Sequence, residues 1–123
     1  MKLYADRHSG QNVVTAHGPG WVEVNGRRHQ RSLLLTPTEI DAAWGPDLAG
    51  MLAEAHVAQL LALAGNVVLL GTGARQRFPS PAMLRPLIEA GIAIEVMDTG
   101  AACRTYNILV AEGRAVAAAL VIE

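Results

Sequence analysis

Val67-Val68-Leu69-Leu70-Gly71-Thr72-Gly73-Ala74-Arg75 is a short aliphatic run that opens into a loop of small and polar residues. Further on, Ile92-Ala93-Ile94-Glu95-Val96-Met97 does the same, passing into Asp98-Thr99-Gly100 and then Ala101-Ala102-Cys103-Arg104-Thr105-Tyr106-Asn107. The first, Val67–Leu70, is an unbroken apolar run of the kind buried on both faces in a parallel sheet, and Ile92–Met97 is the next strand. Between the two runs, Ser80-Pro81 caps a helix that continues through Ala90 and stops at Gly91. After the second run, Asp98 or Thr99 caps a helix to about Glu112, Gly113 ends it, and Arg114 to Ile122 is a last strand. Strand, helix, strand, helix and strand in this order imply right-handed crossovers and mostly parallel pairing. The expected fold is therefore α/β and three-layered, with a mixed sheet and a crevice at the carboxyl edge of its parallel strands.

Working back from Val67, the pattern changes. Leu48 to Leu63 reads as a helix with a broken apolar stripe, weakened at its start by Gly50 and closed by Ala64-Gly65-Asn66. Thr36 with Glu39 three residues later, and Pro37 in the first turn, has the form of a capping box. The helix it predicts runs no further than Trp44, because Gly45-Pro46 comes next. Everything earlier is β-rich. Val13 to Ala16, Trp21 to Val24 and Arg28 to Thr36 read as strands, with turns at Gly18-Pro19-Gly20 and Asn25-Gly26. Residues 1–10 are polar and read as a loosely held tail of a single domain spanning 1–123.

Composition narrows the function classes. Hydrophobic residues make up 51 % of the chain and charged ones 17 %, which is too apolar for disorder. The formal net charge is −1, whereas nucleic-acid binders draw affinity from a basic excess. The one basic cluster, Arg27-Arg28-His29-Gln30-Arg31, follows a hairpin turn and reads as the solvated side of a β-ribbon. A single cysteine rules out an internal disulfide framework and suits a reducing compartment. With no apolar run long enough to span a bilayer and no apolar signal core near Met1, the cytoplasm is the expected location.

The crevice loops supply the candidate site. Gly71-Thr72-Gly73 with Arg75 and Arg77 just beyond reads first as a tight turn and second as an anion site built from backbone amides. It matches neither the dinucleotide pattern, which needs a small residue where Gln76 stands, nor the Gly-Lys-Ser/Thr pattern of nucleotide triphosphatases. In the second loop, Asp98 or Thr99 is the cap, Thr99, Cys103 and Asn107 share one helix face, and Arg104 lies beside them. Cys103 reads first as a small core residue and second as a thiol activated at a helix start. His8, His17, His29 and His56 fall in no recognisable partner motif for a nucleophile. No zinc-type spacing is present, and neither a metal nor a cofactor is expected.

The blocks Leu69-Leu70-Gly71-Thr72-Gly73, Glu95-Val96-Met97-Asp98-Thr99, Ala101 to Asn107 and Glu112-Gly113-Arg114 together resemble a domain family of unknown function. That family includes a mitochondrial respiratory complex I assembly factor and an adipogenesis-associated protein. The resemblance is strong from about Val67 to Val121, with Trp21 and Thr36-Pro37 as weaker counterparts upstream. It implies a compact three-layer α/β fold with a mixed sheet and a β-rich N-terminal part. For function it implies non-enzymatic assembly proteins that bind other proteins, and it carries over no catalytic residue or cofactor. Two functions are compatible with these residues: a non-catalytic protein-binding or assembly module, homo-oligomeric or not, and a small-molecule site or enzyme for an anionic ligand in the crevice.

Overall fold

A computed structural model describes residues 10–63, 65 and 67–123. The expected tail over 1–10, apart from Gly10, lies outside the described residues, as do Ala64 and Asn66 of the expected helix closure. The centre is a five-stranded mixed sheet of β4 (Leu33–Leu35), β5 (Ile40–Asp41), β6 (Val67–Thr72), β7 (Ala93–Met97) and β8 (Val116–Val121), in the order β5-β4-β8-β6-β7. β6 pairs in parallel with both β7 and β8, and β4 runs antiparallel to β8 and β5. Every residue of β6 and β8 is buried, as continuous aliphatic runs require.

The outer layers differ. On one face lie α1 (Glu54–Leu63) and α2 (Pro81–Glu89), whose Val57, Leu60 and Leu87 pack with Val68, Leu70, Ala117 and Ala119. On the other face lies α3 (Thr99–Ala111), together with an antiparallel ribbon of β1 (Val14–Gly18), β2 (Trp21–Val24) and β3 (Arg27–His29). There Ala102, Cys103, Tyr106 and Val110 of α3 meet Val14, Val22 and Val24 of the ribbon, over Leu69, Ala118 and Leu120 of the sheet. The alternate residues of β2 thus resolve: Val22 and Val24 face the core, while Trp21 and Glu23 stay half-buried. Asn25 and Gly26 both have positive φ, at 53° and 84°, as a two-residue hairpin turn requires.

The later helices begin where their caps are. Ser80 Oγ accepts from Met83 N at 3.3 Å, and Asp98 Oδ1 accepts from Ala101 N at 2.8 Å. Upstream, the structure corrects three expectations. Thr36 does not open a helix. Its hydroxyl accepts from Thr38 N at 3.3 Å and Glu39 N at 2.9 Å, but Thr36 N donates to Glu39 O and the chain closes a hairpin between β4 and β5. A threonine bonds nearby amides equally well in a turn, and the stretch before Gly45-Pro46 is too short to repay helix nucleation. The Leu48–Leu63 helix starts only at Glu54, after a 3-10 turn at Ala49–Met51. His56 sets that start, its Nδ1 accepting from Ala53 N at 2.9 Å in the role a capping-box glutamate would fill. The Arg28–Thr36 strand is split between two sheets. Ser32 sits buried at the break, where its hydroxyl donates to Pro46 O at 2.7 Å and accepts from Ile122 N at 3.0 Å.

Candidate functional site

β6 leads to α2 on one face and β7 leads to α3 on the other, so these adjacent strands form a topological switch point. Close approach of α3 to β6 fixes what the first loop contains. A Cβ on Gly71 would lie 3.0 Å from Thr99 Cα and 3.1 Å from Ala102 Cβ, so glycine lets the helix start rest on the strand. Thr99 then ties both together. Its hydroxyl donates to Val121 O and accepts from Gly73 N, each at 2.7 Å, and its own amide donates to Gly73 O at 2.9 Å. Thr72 closes the loop beyond: its hydroxyl faces the carbonyls of Arg75 at 2.7 Å and Met97 at 3.2 Å and accepts from Arg77 N at 3.0 Å.

The loop amides face a carboxylate that belongs to the chain itself. Glu123 Oε1 accepts from Ala74 N at 3.4 Å, and its Oε2 accepts from Ala49 N at 3.0 Å. Gly73, at φ 90°, gives this carboxylate room that a Cβ would take away. Glu123 thereby joins the 3-10 turn to the β6 loop.

The ten candidate residues consequently separate. Gly73, Asp98 and Thr99 line an open cleft of about 530 Å³, whose other wall is the β1–β2 turn with His17, Pro19 and Trp21. Arg104 is exposed beside that cleft; a Cβ at Gly100 would lie 3.2 Å from His17 Cε1, 3.4 Å from Asp98 Oδ1 and 3.5 Å from Arg104 Nη1. Thr72 and Arg77 line a second groove of about 330 Å³ on the α1/α2 face, and Arg75 is exposed in the loop between Thr72 and Arg77. Gly71, Cys103 and Asn107 line neither. Cys103 is fully buried against the sheet, and burial pushes its thiol up to about 12, with Arg104 pulling weakly the other way and Asp98 adding to the rise. Asn107 holds the ribbon, its Oδ1 accepting from Val14 N at 2.9 Å and its Nδ2 donating to Val14 O at 2.7 Å. The neighbouring Tyr106 donates its hydroxyl to Asn12 O at 2.8 Å.

Beyond the ten candidates, the structure brings His17 and Trp21 to the cleft, Phe78 to the second groove, and Glu123 to the loop amides. The Gly18-Pro19-Gly20 turn was the available signal for the first two, since it pairs His17 with Val22 and Gly18 with Trp21. Trp21 carries Arg28 on its ring at 3.9 Å from the centroid, which occupies one member of the basic cluster. For Phe78, exposed at 73 %, the signal was a large apolar side chain in a loop rich in polar residues.

Comparison with known proteins gives this arrangement a family. NADH dehydrogenase [ubiquinone] 1 alpha subcomplex assembly factor 3 of Bos taurus is 32 % identical over 123 residues, which is 98 % of this chain and 61 % of that protein. The chain thus spans less than two thirds of that relative's length. A crystal structure of a Bordetella parapertussis protein superposes with a TM-score of 0.87 at 41 % identity, over 93 % of this chain and 98 % of that one. The solution structure of a Bordetella pertussis protein described as an Mth938-like domain superposes at 0.83 and 35 %, over 99 % and 92 %. Residues 14–121 match the family described as "Protein of unknown function (DUF498/DUF598)", and the chain belongs to it.

Proposed function

We propose that this chain is a non-catalytic protein-binding module of assembly type, working in the cytoplasm. The observation that carries this reading is the contrast between committed polar groups and uncommitted apolar ones at the switch point. Thr72, Thr99 and Asn107 each hold backbone, Cys103 is buried and protonated at neutral pH, and the amides of Gly73 and Ala74 face Thr99 and Glu123. Meanwhile Phe78 stands exposed on the lining of one groove, with exposed Leu48 and Met51 flanking its lining residues Ala49 and Gly50 in sequence, and exposed apolar surface of this kind marks contact sites. The assembly-factor name of the bovine relative supports the same role. The cytoplasmic placement draws support from the single cysteine, a free and buried thiol. Among the described residues no helix is long and apolar enough to cross a membrane.

A second reading is favoured by one observation, the 530 Å³ cleft with His17, Trp21 and Arg104 at its edge. In that reading the cleft holds a small anionic molecule. Native mass spectrometry of the protein purified gently at natural expression separates the two. A retained protein mass is expected. A retained small mass that leaves on denaturation, without any protein partner, would replace the first reading by the second.

A further inference from the structure

The 330 Å³ groove has a floor of Leu70 and Val121 at the carboxyl ends of β6 and β8. Its walls come from Ala49, Gly50 and Leu52 on one side and from Arg77, Phe78 and Met83 on the other. The floor residues are almost wholly buried, yet the lining carries Phe78, 73 % exposed, and Leu48 and Met51, 53 % and 58 % exposed, directly flank lining residues in sequence. The remaining large exposed hydrophobics, such as Ile88 and Ile108, sit singly on the outer surfaces of α2 and α3, as is normal for any protein.

The charges at this groove are unequal in their engagement. Its edge acid, Glu123, is turned onto the Ala49 and Ala74 amides. Arg77 lines the groove itself, with Nη1 3.9 Å from where a Cβ on Gly50 would stand, and among the described residues no carboxylate lies within 4.0 Å of it. Arg75, two positions earlier, is exposed and equally without an ion-pair partner among the described residues. An arginine in one groove with an exposed aromatic ring and a methionine has the composition of an interface centre: the guanidinium takes a carboxylate in a two-pronged bond, and methionine adapts to the side chains it receives.

We infer that this groove receives a short apolar segment of a partner protein that carries a carboxylate, with Phe78 and Met83 covering its apolar side chains and Arg77 holding its acid. The inference rests on the protein-binding reading above and names the partner's chemistry and the place where it docks. Charge complementarity selects this occupant. A basic segment would meet Arg75 and Arg77, and an uncharged one would leave Arg77 pressed against apolar surface without a partner.

The test uses the full chain at natural expression, with the photo-crosslinking residue benzoylphenylalanine at position 78, at 51, and at Ile108 on α3 as a control face. The crosslinked peptide is sequenced, and the capture is repeated with Arg77→Glu and Arg77→Lys. Expected are adducts from positions 78 and 51 to one acid-bearing apolar segment. Their yield should fall about tenfold in Arg77→Glu, with the melting temperature unchanged, and largely persist in Arg77→Lys. Exchanging the partner's acid for lysine should restore the Arg77→Glu adduct. An adduct from 78 to a segment without a carboxylate, to a second copy of this chain, or one indifferent to Arg77→Glu overturns the inference and leaves the protein-binding reading standing. Adducts from position 108 alone also overturn it in favour of another face. No protein adduct from any position overturns both.

Discussion

On the α3 face of the central sheet, three polar side chains reach across to backbone far away in sequence: Asn107 to Val14, Tyr106 to Asn12, and Thr99 to both Val121 and Gly73. On the α1/α2 face the ties are more local. Trp44 Nε1 donates to His56 O at 3.1 Å, His56 caps its own helix, and large apolar side chains are left in solvent beside them. The first face therefore commits these three side chains inside the fold, with the 530 Å³ cleft opening at its edge. The second leaves apolar surface and a guanidinium uncommitted. Two faces of one sheet thus divide the labour, one holding the structure and one presenting a surface.

The largest effect that would sharpen this contrast comes from Tyr106, the largest fully buried side chain. Tyr106→Ala should lower unfolding free energy by about 4 kcal/mol in a urea titration, through cavity formation and the lost bond to Asn12 O. Next, Asn107→Ala leaves both polar groups of Val14 without partners and should cost about 2 kcal/mol. Its hydrogen exchange should accelerate in β1 more than in α1; uniform acceleration would mean that the ribbon and sheet unfold as one and that Asn107 is not a local tie.

A smaller, pH-dependent effect tests the dryness of the same face. In the folded chain the Cys103 thiol stays neutral to about 12, while in the unfolded chain it ionises around its ordinary value of 9.0. Its contribution is therefore complete below pH 9 and is lost as pH rises from there toward 12. Burial raises the Tyr106 phenol in the same direction. Relative to pH 7, stability at pH 10 should drop by about 1 kcal/mol more in the native sequence than in Cys103→Ala. Equal drops would show that solvent reaches the thiol. The smallest effect belongs to the open face: Phe78→Ser should change stability by less than about 0.5 kcal/mol in the same titration. A loss comparable to that of Asn107→Ala would make Phe78 a packing residue and dissolve the contrast.

How much of this was legible depends on where the information lies. Val67–Leu70 announced itself because burial on both faces demands an unbroken apolar run, Ile92–Met97 because its aliphatic residues outnumber the one charge of an edge strand, and Ser80 and Asp98 because a cap bonds amides only three residues away. Thr36 carried equally good capping chemistry and still misled. Whether a capped turn continues into a helix depends on the residues downstream and on the pairing of Leu33–Leu35 with β8, more than eighty residues distant in sequence. Most of the candidate residues lie around the ends of β6 and β7, with Cys103 and Asn107 further along α3, yet what each one bonds was hidden. That Asn107 serves Val14, or that Glu123 faces the Ala74 amide, is decided only by long-range placement. An exposed phenylalanine in a loop leaves no periodic trace at all.

The position of β8 carries one more consequence. It stands between β4 and β6, so the β4–β5 hairpin and the β6–β7 pair share no edge and meet only through it. A nascent chain leaving the ribosome therefore holds two half-sheets apart, each with a bare edge, until Val116–Val121 arrives to zip them together. Synthesis is slow beside strand pairing, and unpaired edges are sticky. For a protein of this topology the hazardous interval lies before folding is complete, and a pause in translation upstream of Val116 would lengthen it.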